Sequence, residues 1–272
     1  MQLSDLSDAT ALERAMTGVR SVVHLAARVH VMHETSPDAL AAFRATNVAG
    51  TRAVCEAARS AAVERFLYVS TIKVNGDGRA RPYTETDHIA PTGPHAVSKA
   101  EAEAIVQDLG DAHPRWTILR PPLVYGESVG GNFNRFLRVA DLSRRIPLPF
   151  GSVRNQRSMV YVGNLVDSII RCLDADSAAQ CTFLVSDDNA LSTPDLIRCL
   201  ASHLGGKARL FPFPISLLKG ALTLAGRGSE AQRLLESLTV DSSAIRSALG
   251  WKPPFSVDEG LRLTAAWWNG HA

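Results

Sequence analysis

The stretch RFLYVST, residues 65–71, decides the fold of this chain. Its branched and aromatic residues predict a strand over Arg65–Ser70. The next long segment, Gly93–Leu109, reads as a helix, and Arg115–Arg120 reads as a second strand that ends at a Pro-Pro pair. Strand, helix and strand in this order predict parallel strands joined by a helical crossover.

The same alternation continues in both directions along the chain. Further helices are predicted over Asp8–Thr17, Pro37–Ala61, Asn132–Ser143, Gly163–Leu173 and Thr193–Leu204. Further strands are predicted over Val19–Leu25, Ser158–Val162 and Cys181–Val185. The whole pattern predicts an α/β fold with a parallel sheet covered on both faces, followed after about Ser186 by a smaller, mostly helical part.

Composition narrows the class of protein. The chain has 272 residues, of which 46% are hydrophobic and 21% charged, so a mainly disordered chain is excluded. The formal net charge of +2 gives no reason to expect a nucleic-acid partner. No apolar run reaches the roughly 18 residues that span a bilayer, and the first residues do not resemble a signal peptide. We therefore expect a cytoplasmic protein without membrane insertion.

The cysteines predict neither a disulfide framework nor a zinc site. None of the four forms a C-x-x-C pair, and no histidine lies at zinc-finger spacing from them. Buried free thiols in a reducing compartment are the simpler interpretation. His30 and His33 suggest a metal site only weakly, because no carboxylate or cysteine completes a set of ligands.

A glycine-rich turn is missing from its usual place. A doubly wound nucleotide-binding fold places this turn directly after its first strand. Here the strand Val19–Leu25 is followed by Ala26, Ala27 and Arg28, and no G-x-G-x-x-G occurs anywhere in the sequence. Residues 226–231 fit a looser G-x-G-x-x-A form, but they follow a helical stretch rather than a strand.

Lys99 and His95 are the first candidates for chemistry. They lie four residues apart on the predicted helix and therefore share one face. A lysine in this position can lower the pKa of an ionisable neighbour by placing a positive charge beside it. The alternative, of about equal weight from spacing alone, is a surface Lys99 that pairs with Glu103.

Other polar residues carry two interpretations each. Thr71 follows a strand end, where sites collect in parallel sheets, but it also fits a simple Ser/Thr turn. Asn47 fits either an anchor or a helix cap, and the cap is simpler. His24 reads as a satisfied core histidine. Asn132 and Arg157 are candidates for a phosphate or uridine contact, with solvated surface residues as the alternative.

A series of short motifs gives these residues a common context. In order they are VVHLAA at 22–27, NVAGT at 47–51, FLYVST at 66–71 with VNG at 74–76, HAVSK at 95–99, LRPPLVYG at 119–126, VGNL at 162–165 and LGWKP at 249–253. The series resembles the extended short-chain dehydrogenase/reductases of the NAD-dependent epimerase/dehydratase family, which act on nucleotide sugars. Two stretches, Ala27–Met32 and Ser70–Gly76, are similar to bacterial 4-reductases and 4-epimerases of UDP-N-acetylated 6-deoxy sugars.

The resemblance implies a role for each matching position. Thr71 would hydrogen-bond the reacting oxygen of the substrate, and Lys99 would hold the nicotinamide ribose and tune the catalytic group at position 95. Asn132 and Arg157 would bind the nucleotide diphosphate. The remaining positions implied for cofactor binding are Asp5, Leu6, Ala26, Ala27, Asn47 and Pro122.

Two departures from the family pattern matter. The catalytic tyrosine of the family falls at position 95, where this chain has His95. An imidazole can carry a proton, but it is shorter than a phenol, and a misplacement of about 1 Å can cost about 100-fold in rate. We therefore expect strongly reduced activity with His95.

The second departure concerns the first residues of the chain. The sequence matches the family from near the end of its third strand, so the first two strand–helix units are expected to be absent. Their loss would leave Val19–Leu25 as an apolar sheet edge, which is an aggregation hazard. We expect a misplaced start codon or a damaged gene rather than a natural short protein.

Together these features predict an enzyme that uses NAD or NADP to move hydride to or from C4 of a UDP-sugar, as an epimerase or a reductase. The sugar is expected to be N-acetylated and to serve surface polysaccharide. The alternative is a catalytically impaired relic or a sugar-nucleotide binding protein, which both departures favour.

The expected organisation also follows the family. Residues 1–127, with about 158–186, are expected to form a partial Rossmann domain for the dinucleotide. Residues 128–157 and 187–272 are expected to form the substrate-binding part. A homodimer is expected through the helices near 39–61 and 94–110, because family members pair these helices.

Overall fold

A computed structural model describes residues 6, 8–29, 38–111, 113–226 and 228–271, with the backbone alone for 132, 229, 230 and 233. Its strands are β1 (Ser21–His24), β2 (Arg65–Val69), β3 (Arg115–Arg120), β4 (Leu123–Tyr125), β5 (Met159–Tyr161) and β6 (Cys181–Leu184). The main sheet has the order β1–β2–β3–β6, and all its strands are parallel. A second sheet pairs β4 with β5, also in parallel.

Eleven α-helices are assigned within the described residues. They are α1 (Ala9–Met16), α2 (Ala39–Arg44), α3 (Gly50–Ser60), α4 (Gly93–Gln107), α5 (Gly131–Arg145), α6 (Val162–Asp174), α7 (Thr193–His203), α8 (Ile215–Leu224), α9 (Gly228–Leu235), α10 (Ser243–Leu249) and α11 (Val257–His271). One wider π-helical turn, Ala45–Ala49, joins α2 to α3.

Helices cover both faces of the main sheet, as predicted. Successive residues of a strand point to opposite faces. Phe66, Tyr68 and Ile118 pack in one core with residues of α1, α3 and α4. Leu67 and Leu119 pack on the other face with residues of α6 and α10.

The sheet has an apolar edge at β1. Among the described residues, β1 pairs only with β2 and thus lies at one side of the sheet. Leu25 and Val29, which follow it, expose more than half of their surface. Within the described ranges, the strand predicted at Val19–Leu25 thus lies at the edge of the sheet.

The part after Ser186 is mostly helical, as predicted, and it shares a core with β4 and β5. Tyr125 and Phe133 stack within this core, and Ile197 and Leu261 bring in α7 and α11. The short strand β4 was not predicted, because it spans three residues directly after the Pro-Pro pair that suggested a stop.

The asparagine of the VGNL motif, Asn164, has a buried side chain that links α6 to Asp187 and Phe255. Its side-chain Nδ2 donates to Asp187 Oδ1 at 2.7 Å and to the Phe255 carbonyl at 2.9 Å, and its Oδ1 accepts from the Phe255 amide at 2.9 Å. Burial raises the pKa of Asp187. A Cβ on Gly163 would lie 2.7 Å from the Tyr161 ring, so this close approach requires glycine.

The described residues include no group of three or more His, Cys, Asp or Glu that could hold a metal ion. His30 and His33 lie outside them. The four cysteines are free thiols, and Cys55 and Cys172 are buried. Burial raises the pKa of both buried thiols to about 12. Over the same ranges, no helix combines the length and the apolar character needed to cross a membrane.

A buried ion pair joins α4 to the end of β3. Arg120 donates from Nε and Nη2 to the Glu103 carboxylate at 3.0 and 2.6 Å, and both side chains are buried. Its Nη1 donates to Asn75 Oδ1 at 3.1 Å, in the loop that follows β2. Because one guanidinium bonds both α4 and the loop after β2, the pair fixes the spacing of these three segments. Removal of one partner would leave a buried, uncompensated charge.

Arg120→Ala should lower the free energy of unfolding by about 3–5 kcal/mol, because the Glu103 carboxylate is left buried and unpaired. The control is Arg20→Ala, which breaks an exposed pair with Glu64 and should cost about 1 kcal/mol or less. Urea denaturation of both variants measures the two costs. Similar losses for the two variants would contradict the structural role given to the buried pair.

Candidate active site

An open cleft of about 970 Å³ lies beside the carboxyl ends of β2 and β3. Its apolar walls include Ile72, Pro122, Leu123, Val124, Phe136, Val139, Leu234 and Leu238. Its polar lining consists of Thr71, Lys73, His95, Arg135 and Arg157. The structure thus brings together Thr71, His95, Pro122 and Arg157, four positions that the sequence had singled out.

Thr71 occupies the end of β2. Its Oγ1 accepts a weak hydrogen bond of 3.3 Å from the Lys73 amide and caps the short 3₁₀ turn Ile72–Val74. The Ser/Thr turn foreseen as the alternative is therefore present. The same side chain also lines the cleft, so a turn and a substrate contact are compatible here.

His95 lies in the first turn of α4 and is half-buried. Its ring meets the Phe43 ring edge to face, with 6.0 Å between the ring centroids. The helix begins after Thr92 with Gly93 and Pro94, and proline is well suited to a first helical turn. From this position His95 lines the same cleft as Thr71.

Lys99 is buried one turn further along α4, with 3% of its surface exposed. Its Nζ donates to the Val69 carbonyl at 2.7 Å and lies 4.1 Å from the centroid of the Tyr68 ring. Burial lowers its pKa to about 8, and the charge of Glu103 opposes this only in part. The alternative of a surface Lys99 is wrong, because the carboxylate of Glu103 faces Arg120 inside the protein.

His24 is a satisfied core histidine, as predicted. Its Nε2 lies 2.9 Å from Thr51 Oγ1, and its ring stacks on Tyr68 at 5.4 Å. Burial, with a smaller contribution from the charge of Lys99, lowers its pKa to about 4. The imidazole is thus neutral at physiological pH.

Asn47 is an anchor, and the simpler interpretation as a helix cap is wrong. It lies inside the π-helical turn Ala45–Ala49, not at a helix end. Its amide bonds both backbone groups of Arg28, at 2.7 and 3.1 Å, and donates to Ser98 Oγ at 2.9 Å. The Ser98 hydroxyl in turn donates to the His95 carbonyl at 2.9 Å, so Asn47 ties the segment after β1 to α4.

The cationic side of the cleft is formed by Arg135 and Arg157. Arg157 donates from Nη1 to the Glu236 carbonyl at 3.0 Å and lines the cleft with Arg135 of α5. Arg135 was not predicted from the sequence. Its spacing of three from Asn132 on a predicted helix was the signal that could have found it.

The remaining predicted positions are placed as follows. Ala26 is exposed and Ala27 half-exposed after β1, and Pro122 is buried in the cleft wall. Leu6 packs near Gly50 against the core of α1, α3 and α4. Asp5 lies outside the described residues, and of Asn132 only the backbone, in the first turn of α5, is described.

Comparison with known proteins places this geometry in a family. The sequence pattern described as the NAD dependent epimerase/dehydratase family matches residues 1–185. The chain is 39% identical over 268 residues to a UDP-glucose 4-epimerase of Vibrio cholerae, covering 97% of this chain and 81% of that protein. The chain belongs to the NAD-dependent epimerase/dehydratase family. Relatives that it matches are named as epimerases and as dehydratases.

Two further relatives lie at lower identity. An N-acetyl-alpha-D-glucosaminyl-diphospho-ditrans,octacis-undecaprenol 4-epimerase of Escherichia coli O157:H7 is 26% identical over 286 residues, or 100% of this chain and 84% of that protein. The structure of a double mutant of DesIV, a dTDP-glucose 4,6-dehydratase of Streptomyces venezuelae with NAD and DAU bound, superposes with a TM-score of 0.76 at 25% identity. That alignment covers 98% of this chain and 79% of the dehydratase.

The described residues fit the nicotinamide end of the family's dinucleotide. Lys99 Nζ donates one hydrogen bond to the Val69 carbonyl and has two further N–H donors. Ser70 Oγ is buried at the same strand end and has no hydrogen-bond partner among the described residues. Buried hydroxyls normally have a partner, and a ribose or carboxamide group would supply one. The small side chains of Ala26 and Ala27 leave room at the end of β1.

His24 predicts a pH dependence of stability. An unfolded imidazole takes up its proton near pH 6.5, but the folded one does so only near pH 4. Between these values the unfolded chain binds more protons, so the free energy of unfolding falls as the pH falls, by up to about 3 kcal/mol.

Urea denaturation at pH 7, 5.5 and 4 should therefore show a smaller loss in His24→Asn than in the native chain. The exposed His88 provides the matched control, and His88→Asn should keep the native pH dependence. If His24→Asn follows the native curve in parallel, the neutral buried imidazole is contradicted.

Proposed function

We propose that this chain transfers hydride at C4 of a nucleotide sugar with NAD or NADP, as an epimerase or a reductase. The observation that carries the proposal is the meeting of Thr71 and His95 on one cleft whose other wall presents Arg135 and Arg157. A site for proton transfer and a site for a diphosphate lie in the same cavity, as a nucleotide-sugar substrate needs.

Each residue has a defined part in this chemistry. NAD or NADP, when bound, would supply or take the hydride. Thr71 Oγ1 would hydrogen-bond the C4 oxygen, and His95 would take up its proton as the alcohol becomes a ketone and return it in the reverse direction. Lys99 would hold the nicotinamide ribose through its remaining donors. Arg135 and Arg157 would bind the diphosphate.

The lining of the cleft favours chemistry at C4 over dehydration. Loss of water from a 4-keto sugar needs one group to remove a proton from carbon and another to protonate the departing hydroxyl. A carboxylate is the usual side chain for such work. The cleft residues that the structure describes include no Asp or Glu. The two residues that follow Thr71 in the sequence are Ile72 and Lys73.

For the substrate we propose a UDP-sugar, N-acetylated, used for surface polysaccharide. Two relatives support this choice. The Vibrio cholerae protein is named for UDP-glucose, and the Escherichia coli protein for an N-acetylglucosaminyl group on a polyprenyl diphosphate.

A second candidate function rests on position 95. A histidine there shortens the reach of the proton carrier relative to the tyrosine expected at this position of the family. A protein that binds the sugar nucleotide but turns it over slowly or not at all would lose the proton transfer. It would keep the arginine wall, which is the side of the cleft formed by Arg135 and Arg157.

His95→Tyr should raise kcat by about 100-fold, because the longer phenol restores the reach for which the cleft is built. UDP-glucose and UDP-N-acetylglucosamine, each with NAD, serve as trial substrates, and anion-exchange chromatography measures their 4-epimers. His88→Tyr, at an exposed position outside the cleft, is the matched control and should leave kcat unchanged.

The possible results separate the two candidates. A gain with His95→Tyr supports the enzyme and the role of position 95. An equal kcat before and after the change contradicts that role. UDP binding without turnover in either form favours the binding protein.

We also propose a homodimer through α2, the turn after it and α3. Ala41, Ala45 and Ala49 are exposed at spacings of four along this run, beside the half-buried Val48 and Ala53. Small side chains on one helix face permit close packing of a second helix pair.

Ala45→Arg should turn the dimer into a monomer, because a long charged side chain would stand in the contact between copies. Light scattering after size exclusion measures the mass. Ala225→Arg, on an exposed alanine at the end of α8, is the control and should keep the dimer mass. A native chain that elutes as a monomer would contradict the proposal.

A further inference from the structure

One helix of the protein carries an apolar face that nothing in the described structure covers. Leu217 and Leu224 of α8 expose 61% and 91% of their surface, and with Ala221 they share one face at helical spacing. A single exposed leucine on a helix is ordinary. A leucine that forms part of a wider exposed apolar patch is unusual and marks an interaction surface. Phe211 and Ile215 extend the patch towards the start of the helix.

The chain around this patch is basic. Residues 196–229 contain no aspartate or glutamate, and their basic residues are Arg198, Lys207, Arg209, Lys219 and Arg227. Lys207 and Arg209 are exposed and form no ion pair with any residue that the structure describes. Arg145, itself 75% exposed at its side chain, lies beside Arg209, whose Nη1 donates to its carbonyl. Arg198, Lys219 and Arg145 pair with Asp195, Glu236 and Asp141. The positive rim of the patch therefore consists of Lys207 and Arg209, which directly precede it in the chain.

We propose that this α8 patch docks on an anionic phospholipid bilayer. Ten residues of helix are about 15 Å long, too short to cross a bilayer but suited to lie in its interface. An interfacial helix buries its apolar face among the acyl chains and places basic side chains against anionic headgroups.

The charges decide between a bilayer and a second copy of this chain. A symmetric contact through the patch would set the same basic rim against itself, which costs free energy. An anionic surface instead neutralises Lys207 and Arg209. The proposed homodimer uses a different face, on α2 and α3.

Docking in this way would bring the cleft close to the membrane. The patch helix α8 packs against α9, and Leu234 of α9 lines the cleft. The two sides of one helical hairpin therefore face the bilayer and the substrate.

Sedimentation with vesicles tests the proposal on the full chain. The native protein should bind vesicles of phosphatidylcholine and phosphatidylglycerol in equal parts, and bind pure phosphatidylcholine vesicles far less. The double variant Leu217→Gln with Leu224→Gln should lower the partition coefficient by about tenfold or more, because the two exposed leucines that the bilayer would bury are lost. Lys207→Glu with Arg209→Glu should lower it by about fivefold or more.

The matched control removes two other exposed apolar side chains. Val166 and Ile170 of α6 expose 49% and 52% of their surface, in a helix without an excess of basic residues. Val166→Gln with Ile170→Gln should bind as the native chain does. Far-UV circular dichroism and thermal melting of every variant establish that each one folds.

Four results would overturn the proposal. The first three are equal binding to both kinds of vesicle, unchanged binding of the α8 double variant, and equal loss in the α6 control. The fourth is a fall in molecular mass of the α8 variant without vesicles, which would assign the patch to a contact between copies.

Discussion

The buried ion pair between Arg120 and Glu103 is the interaction on which the candidate site depends. One guanidinium holds the last residue of β3, the middle of α4 and, through Asn75, the loop after β2. Lys99 lies one turn before Glu103 on α4, and His95 lies one turn before Lys99. Fixing Glu103 therefore sets the position of both residues relative to Thr71 at the end of β2.

A second set of hydrogen bonds fixes the other end of the same helix. Asn47 joins the backbone of Arg28 to Ser98, and Ser98 bonds the His95 carbonyl. The ammonium of Lys99 is held between the Val69 carbonyl and the Tyr68 ring. The side chains of Asn47, Ser98 and Lys99 are buried, so water competes little with the hydrogen bonds that position His95.

The sequence predicted the strands and helices of the sheet domain closely, because their apolar patterns are regular. It could not place β4, because a strand of three residues directly after two prolines is too short to show an alternation of apolar and polar residues. It left the environment of Lys99 open, because spacing to Glu103 does not reveal that Arg120, on another element, takes that carboxylate. For the same reason Asn47 looked like a cap. The tertiary partners of these residues lie 17 to 51 positions away in the sequence.

The candidate site was recognised from ordered motifs more than from any single residue. Thr71, His95 and Arg157 were each ambiguous alone, and the fold places them on one cleft. Arg135 was not singled out, although its spacing of three from Asn132 places both residues on one face of the predicted helix. The α8 patch was also missed, since its leucines read as ordinary helix residues until their exposure was known.

The central claim is that the cleft between Thr71 and the arginine wall holds a nucleotide diphosphate. Calorimetric titration with UDP tests this claim without cofactor or turnover. Arg157→Ala should weaken UDP binding by about tenfold or more, since hydrogen bonds to a charged group contribute about 1.5–3 kcal/mol. Arg154→Ala, an exposed neighbour outside the cleft, should leave it unchanged. Equal affinity in both variants, or no UDP binding by the native chain, would contradict the account.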